Sequence, residues 1–319
     1  MLTLMVYLHG SEMTGRDNFQ FKVDKSWGIL DLNSTPIYDC HAMVEDSKGR
    51  LILLTNHQQN NIIIYNKKGE LLNKWDTDMT DAHGMQIGTE ENGNEYLILT
   101  DPGSHRVLKT DLNGNILMEL GYPKESGQYA DESNYKPTDA VIAPGGDFYI
   151  TDGYGSSLIT HYDKNGKWLK TFGKGQLKQP HGAVWDDRGP EPFLLVASRG
   201  NKEIVKYRPD GTLVKKIKTP GALVCMLRRY KDYMIVPCLN KFILILDKNN
   251  KVVANLSGMP VKYENGRLHT LRIEKKQRTF LGPHGICVAK DGTVYVPQWN
   301  SGTTFPLKLT PHGEHSAWK

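Results

Sequence analysis

The sequence predicts an all-β chain closed into a six-bladed β-propeller with four-stranded antiparallel blades. Three observations predict it. A unit of about 49 residues recurs, which is the spacing of propeller blades. Each unit carries four short apolar runs of strand length. Glycine is abundant, at 31 of 319 residues, as many tight turns and few long helices require.

The innermost strand of each unit is announced by a Pro-His-Gly-like opening. The openings are Asp39-Cys40-His41-Ala42, Asp81-Ala82-His83-Gly84, Lys136-Pro137-Thr138-Asp139, Gln179-Pro180-His181-Gly182 and Gly282-Pro283-His284-Gly285, with a degenerate fifth at Pro220-Gly221-Ala222-Leu223-Val224. His41 and His284 lie 243 residues apart across five steps. Second strands follow as Leu51–Leu54, Tyr96–Leu99, Asp147–Ile150, Phe193–Val196, Tyr233–Val236 and Thr293–Val296. Third strands such as Ile62–Tyr65 and Ile204–Tyr207 lead into turns at Lys68-Gly69, Asn113-Gly114, Asn165-Gly166 and Asp210-Gly211. Asn-Gly and Asp-Gly favour positive φ and close hairpins. Fourth strands, such as Leu71–Trp75 and Trp168–Phe172, end each unit. No convincing amphipathic helix interrupts the pattern.

Six such units close into a ring, and closure shields the strand edges. The last unit lacks an outer strand after Phe305–Leu309, so the segment from Phe19 to Val23 is expected to supply it and join the chain ends. Residues 123–135 and 257–280 are insertions between blades, the second carrying the basic run Glu274-Lys275-Lys276-Gln277-Arg278. Residues 1–319 are thus read as one domain, with 1–18 as an extension.

Composition narrows the class of partner. Charged residues make up 24% and the net charge is +5, thinly spread. That gives weak support to nucleic-acid or anionic-membrane binding and leaves a small-molecule substrate as the expected partner. No apolar stretch reaches the ~18 residues of a membrane-spanning helix. The apolar opening Met1–Leu8 fits the remnant of a longer leader or a strand, so the compartment stays open. Nothing sets the assembly state, and a ring closed within one chain is compatible with a monomer. Cys40, Cys225, Cys238 and Cys287 form no CxxC pair and sit in apolar runs, where buried free thiols are the ordinary outcome.

Ring closure also gathers chemistry. The start of each innermost strand faces one mouth of the central channel, so His41, His83, His181 and His284 should meet there. Three imidazoles around an open fourth position suit a catalytic zinc ion, although other divalent metals accept imidazole. The alternative is four histidines that merely hydrogen-bond neighbouring blades. Loops after the second strands open at the same mouth and bring His57, Asp101, His105, Asp152, Tyr154, Arg199, Asn240, Gln298 and Trp299. Tyr154 beside a metal could serve as a base and Arg199 could anchor a carboxylate. Asp101 and Asp152 are expected to stabilise turns, and His105 to face solvent.

The repeat resembles the NHL class of propellers. More narrowly, residues 40–310 resemble the peptidyl-α-hydroxyglycine α-amidating lyase family, through Asp81-Ala82-His83-Gly84, Pro137-Thr138-Asp139-Ala140-Val141, Thr151-Asp152-Gly153-Tyr154, Pro180-His181-Gly182, Ala197-Ser198-Arg199 and Pro283-His284-Gly285. The resemblance implies zinc held by His83, His181 and His284, Tyr154 as base and Arg199 as carboxylate anchor. It also implies cleavage of a C–N bond to an amide and glyoxylate. Four departures point to a different substrate. His57 stands near the place of the family's second arginine. Gly285 replaces the acidic residue that helps bind structural calcium, which speaks against calcium. His41 is an added imidazole, and Gly155 replaces a cysteine. These 319 residues are not expected to include a copper-monooxygenase domain. Two other function classes remain open: another metal-assisted propeller hydrolase or sugar lyase, and a non-catalytic NHL module that binds a ligand or protein.

Overall fold

A computed structural model describes residues 12–276, 279–299, 304–313 and 318. The apolar opening Met1–Leu8 lies outside the described residues, as do Gln277 and Arg278 of the basic insertion. The described residues form six blades, each an antiparallel sheet; in blades one to five the strands run outward in chain order.

Blade one consists of Cys40–Glu45, Leu51–Thr55, Ile62–Tyr65 and Leu71–Trp75. Blade two starts at Gly84–Thr89, blade three at Asp139–Ile142, blade four at Pro180–Asp186 and blade five at Arg228–Tyr230. Blade six is assembled from both ends of the chain. Cys287–Val288, Val294–Val296 and Leu307–His312 are followed outward by Phe19–Asp24, which pairs antiparallel with Leu307–His312. The expected closure by Phe19–Val23 is therefore present. Met13–Arg16, inside the expected 1–18 extension, adds a fifth strand at the edge.

Burial follows the strand order. Second and third strands such as Leu51–Thr55 and Phe242–Leu246 are buried throughout, whereas the outer strands Leu71–Trp75 and Leu213–Lys218 are largely exposed. Six apolar clusters fill the spaces between neighbouring blades, one per junction round the ring. Apolar burial thus holds blade to blade, and the polar channel is left on the axis. The turns behave as their residues demand: Gly69 and Gly211 adopt φ of +88° and +85°.

A polar latch repeats in all six blades. A side chain at the end of the second strand accepts a hydrogen bond from the backbone N–H of the segment entering the innermost strand. The pairs are Asn56 to Asp39, Asp101 to Asp81, Asp152 to Lys136, Ser198 to Lys178, Asn240 to Leu223 and Gln298 to Leu281, at 2.7–3.0 Å. These bonds satisfy backbone donors that would otherwise be buried unpaired. They give Asp101 and Asp152 their expected turn-stabilising part. His105 departs from its expected solvent-facing place: it is half-buried and donates from Nδ1 to Tyr135 O at 2.7 Å.

The latch also fixes the register of blade five. The residue matching His181 there is Cys225, four residues beyond the sequence-based opening at Pro220-Gly221. The intervening residues pack against the 257–276 insertion, where Leu271 N–H donates to Pro220 O. That insertion carries a small hairpin, Tyr263–Glu264 with Arg267–Leu268. None of the described helical segments is longer than three residues, and none is long and apolar enough to cross a membrane.

Candidate metal centre

One backbone position repeats at the mouth of the channel. It is occupied by His41, His83, Thr138, His181, Cys225 and His284 in blades one to six. Three of the histidines donate from Nδ1 to the carbonyl at the same position of the next blade in their path. His83 bonds Thr138 O (2.7 Å), His181 bonds Cys225 O (3.2 Å) and His284 bonds His41 O (3.0 Å).

The residue that follows makes this possible. Gly84, Gly182 and Gly285 each lie so close to the next blade that a Cβ would fall 2.5 Å from that same carbonyl oxygen. Glycine therefore lets the blades approach until imidazole and carbonyl meet. His41 is followed by Ala42, and its Nδ1 makes no such bond: both ring nitrogens are buried with no hydrogen-bond partner. A slip in strand pairing at Cys40/Ala42 and at Pro180/Ala183 places His41 and His181 on bulges, which release their side chains from the ladder.

The four imidazoles cluster on the axis and are at most 2% exposed. Ring centroids lie 4.7 Å apart for His41–His83, His41–His284 and His181–His284, and 4.8 Å for His83–His181 and His83–His284. His41 and His181 thus cap opposite sides of the His83–His284 pair. A carbonyl only accepts, so Nδ1 of His83, His181 and His284 carries the proton and Nε2 carries the lone pair. Burial, with mutual repulsion and the charge of Arg199, holds the cluster well below the ordinary histidine range, with His284 down to about 4. The imidazoles are neutral at pH 7 and ready as donors.

Over this cluster sits Tyr154. Its hydroxyl is 3.1 Å from His83 Nε2 and 3.0 Å from His181 Nε2, and it accepts from Arg199 Nη2 at 3.2 Å. Burial raises the Tyr154 phenol while the Arg199 guanidinium pulls the other way. Arg199 is held at the start of a short turn after Phe193–Ser198 and is itself buried.

The donor set fits a metal ion. The ligand atoms of His41, His83 and His284 lie within 4.8 Å of one another, as do those of His181, Cys225 and His284. Neighbouring ligands on a tetrahedral ion stand about 3.4 Å apart when metal–nitrogen bonds are about 2.1 Å, so modest side-chain movement would bring either set onto one ion. Nitrogen donors backed by carbonyl hydrogen bonds are the arrangement that orients a metal-ligating histidine.

The structure thus brings His41, His83, His181, His284, Tyr154 and Arg199 together. It does not bring His57 to them: that ring packs on Tyr38 at 4.7 Å, and its Nδ1 accepts from Gln59 N–H. The sequence reading missed the Cys225 thiol beside His181 and His284. The signal was its register, hidden by the irregular opening of blade five.

Comparisons with known proteins agree with the propeller fold and the lyase resemblance. No family model matches the chain. Among curated proteins it is similar to the peptidylglycine α-amidating monooxygenase of Rattus norvegicus (25% identical over 255 residues, covering 74% of this chain and 24% of that protein). It is also similar to a probable peptidyl-α-hydroxyglycine α-amidating lyase of Caenorhabditis elegans (24% identical over 252 residues, 71% of this chain and 63% of that protein). The chain therefore spans about a quarter of the rat protein's length and under two thirds of the nematode lyase. A solved streptogramin B lyase superposes with a TM-score of 0.62 at 14% identity over 92% of this chain and 98% of that one. A gluconolactonase from Xanthomonas campestris does so with 0.61 at 11% identity, over 91% and 89%. At such identity these two structures speak to fold alone.

Proposed function

We propose that this six-bladed propeller, which resembles the amidating lyases in sequence, is a metal-dependent lyase acting on a small α-hydroxy or hemiaminal-like substrate. His83, His181 and His284 would hold a divalent ion, zinc being the one that three histidines and an open position suit. When bound, such an ion supplies Lewis-acid polarisation of a substrate oxygen. The reading carries no role for calcium.

The observation that carries this reading is the Tyr154 hydroxyl, set between the Nε2 atoms of His83 and His181 and touched by a buried guanidinium. Arg199 has five N–H donors and directs them in part to Tyr154 and the Cys225 thiol, which leaves others for a substrate carboxylate. On balance burial holds the Tyr154 phenol above its ordinary range; the Arg199 charge opposes this, and a bound cation would add to that pull towards the phenolate. Tyr154 as phenolate would take the proton of the substrate hydroxyl. The oxygen electrons form the new C=O, the C–N bond breaks, and its electron pair goes to nitrogen. Tyr154 returns its proton to that nitrogen. The products are an amide and glyoxylate, and atoms and charge balance. His57, away from these groups, would contact only the outer part of a substrate.

The test is glyoxylate release from an N-acyl-α-hydroxyglycine by zinc-loaded protein. Turnover that disappears in Tyr154→Phe supports the reading. Metal-loaded protein that releases no glyoxylate from any such compound contradicts the amidating-lyase form of it.

A further inference from the structure

The open position assumed above is contested by a residue of the chain itself. His41 is 2% exposed, lies on the axis, and leaves both ring nitrogens without a partner. Buried polar atoms in native proteins are nearly always paired, and those that are not call for an explanation. His41 is also the histidine whose ligand atoms lie within 4.8 Å of those of His83 and His284. We propose that His41 is a fourth imidazole ligand of the ion held by His83, His181 and His284, so that the resting site is four-nitrogen rather than three-nitrogen with a vacant position. This rests on the metal reading of the preceding subsection.

The next residue explains why His41 differs from the other three. After His83, His181 and His284 comes glycine, and the next blade approaches closely enough for its carbonyl to take the Nδ1 proton. After His41 comes Ala42, and no carbonyl fixes the ring. Three ligands are thus oriented from behind, and one is not. An imidazole without that support binds more weakly and turns more freely. His41 is therefore the ligand that yields its place to a substrate oxygen, whereas the three locked histidines keep the ion. Its neighbours His83 and His284 stand at 4.7 Å on either side, and His181 lies across their shared edge. An ion held between His83 and His284 would thus have the His41 ring on one side and the His181 ring on the other.

Cobalt(II) reports such a site directly, because its visible absorption depends on coordination number and donor type. Wild-type protein loaded with Co²⁺ should show the spectrum of a four-coordinate, all-nitrogen site, little changed by azide. His41→Ala should admit solvent, shift the spectrum and make it azide-sensitive. It should also weaken Co²⁺ binding in chelator competition about 10- to 100-fold. His269→Ala, at an exposed imidazole on the 257–276 insertion, should change neither. Because an alanine at a buried site could disturb folding, His41→Leu serves as the second variant. It removes two unpaired buried nitrogens, so the metal-free protein should melt higher than wild type while holding Co²⁺ more weakly. Identical spectra and affinities in wild type, His41→Ala and His41→Leu would overturn the fourth-ligand proposal alone. Wild-type protein that takes up no Co²⁺, or His83→Ala and His181→Ala that keep it unchanged, would overturn the metal reading and the fourth ligand with it.

Discussion

Replacing Gly182 with alanine should loosen His181 without altering the imidazole itself. A Cβ at this position would fall 2.5 Å from Cys225 O and 2.7 Å from Met226 Cα. Both are backbone atoms, so neither can swing aside as a side chain would. Carbon pairs settle at about 3.5–4.0 Å, so blade five must retreat by roughly 1 Å. The His181 Nδ1–Cys225 O bond is already 3.2 Å long and would be lost. Overpacking of this kind costs about 1–3 kcal/mol, and the hydrogen bond adds about 1 kcal/mol, for a total of about 2–4 kcal/mol. The backbone at Gly182 is not in the left-handed region, so the penalty is steric. Urea unfolding measures it, with Gly145→Ala as control because open space surrounds that position. The control should stay within about 0.5 kcal/mol of wild type. Metal affinity of Gly182→Ala should fall about 10- to 100-fold, as loss of a ligand's supporting hydrogen bond does. If Gly182→Ala matches Gly145→Ala in both stability and metal affinity, the account of how glycine positions these histidines is wrong.

Other variants separate the remaining parts. Tyr154→Phe should keep metal and fold but lose about 10²- to 10⁴-fold in kcat, the range for removing a general base; steady-state kinetics on glyoxylate release checks this. Arg199→Lys retains charge but loses the planar fork. With a hydrogen bond to a charged group worth about 1.5–3 kcal/mol, kcat/KM for a carboxylate substrate should drop about 10- to 150-fold, and an uncharged ester analogue should be less affected. Asp139 is fully buried, and burial pushes its carboxyl up to about 6 despite Arg228 and the Ala183 N–H. Its charged form is therefore disfavoured in the fold. The penalty is present above pH 6, amounts to about 3 kcal/mol at most, and is relieved as pH falls from 6 towards 4. Unfolding of wild type across that range should show the slope, and Asp139→Asn should flatten it.

The architecture was largely legible because it is repetitive. Strands such as Leu51–Thr55 and Tyr233–Cys238 are short apolar runs at fixed spacing, and nothing in the ring competes with them. The closing strand Phe19–Asp24 was legible by subtraction, since blade six was one strand short. The histidine cluster was legible because ring geometry turns equal register into proximity. Where register fails to announce itself, the reading failed too. Blade five enters through Ala222–Leu227 without a Pro-His-Gly turn, so Cys225 was read as a core thiol rather than a neighbour of His181. His57 shares the position of Arg199 after the second strand, but it packs on Tyr38 instead. Sequence position put it at the mouth and could not set the direction of its ring. The partnerless nitrogens of His41 were likewise invisible, because Ala42 in place of glycine does not by itself say which way the ring turns.

Metal content of purified protein after exposure to zinc and removal of the excess tests the central claim most directly. One equivalent per chain in wild type, falling below a tenth in His83→Ala and His181→Ala with folding intact, is the expected result. Wild-type protein that retains no zinc, cobalt or other divalent ion under those conditions would contradict it.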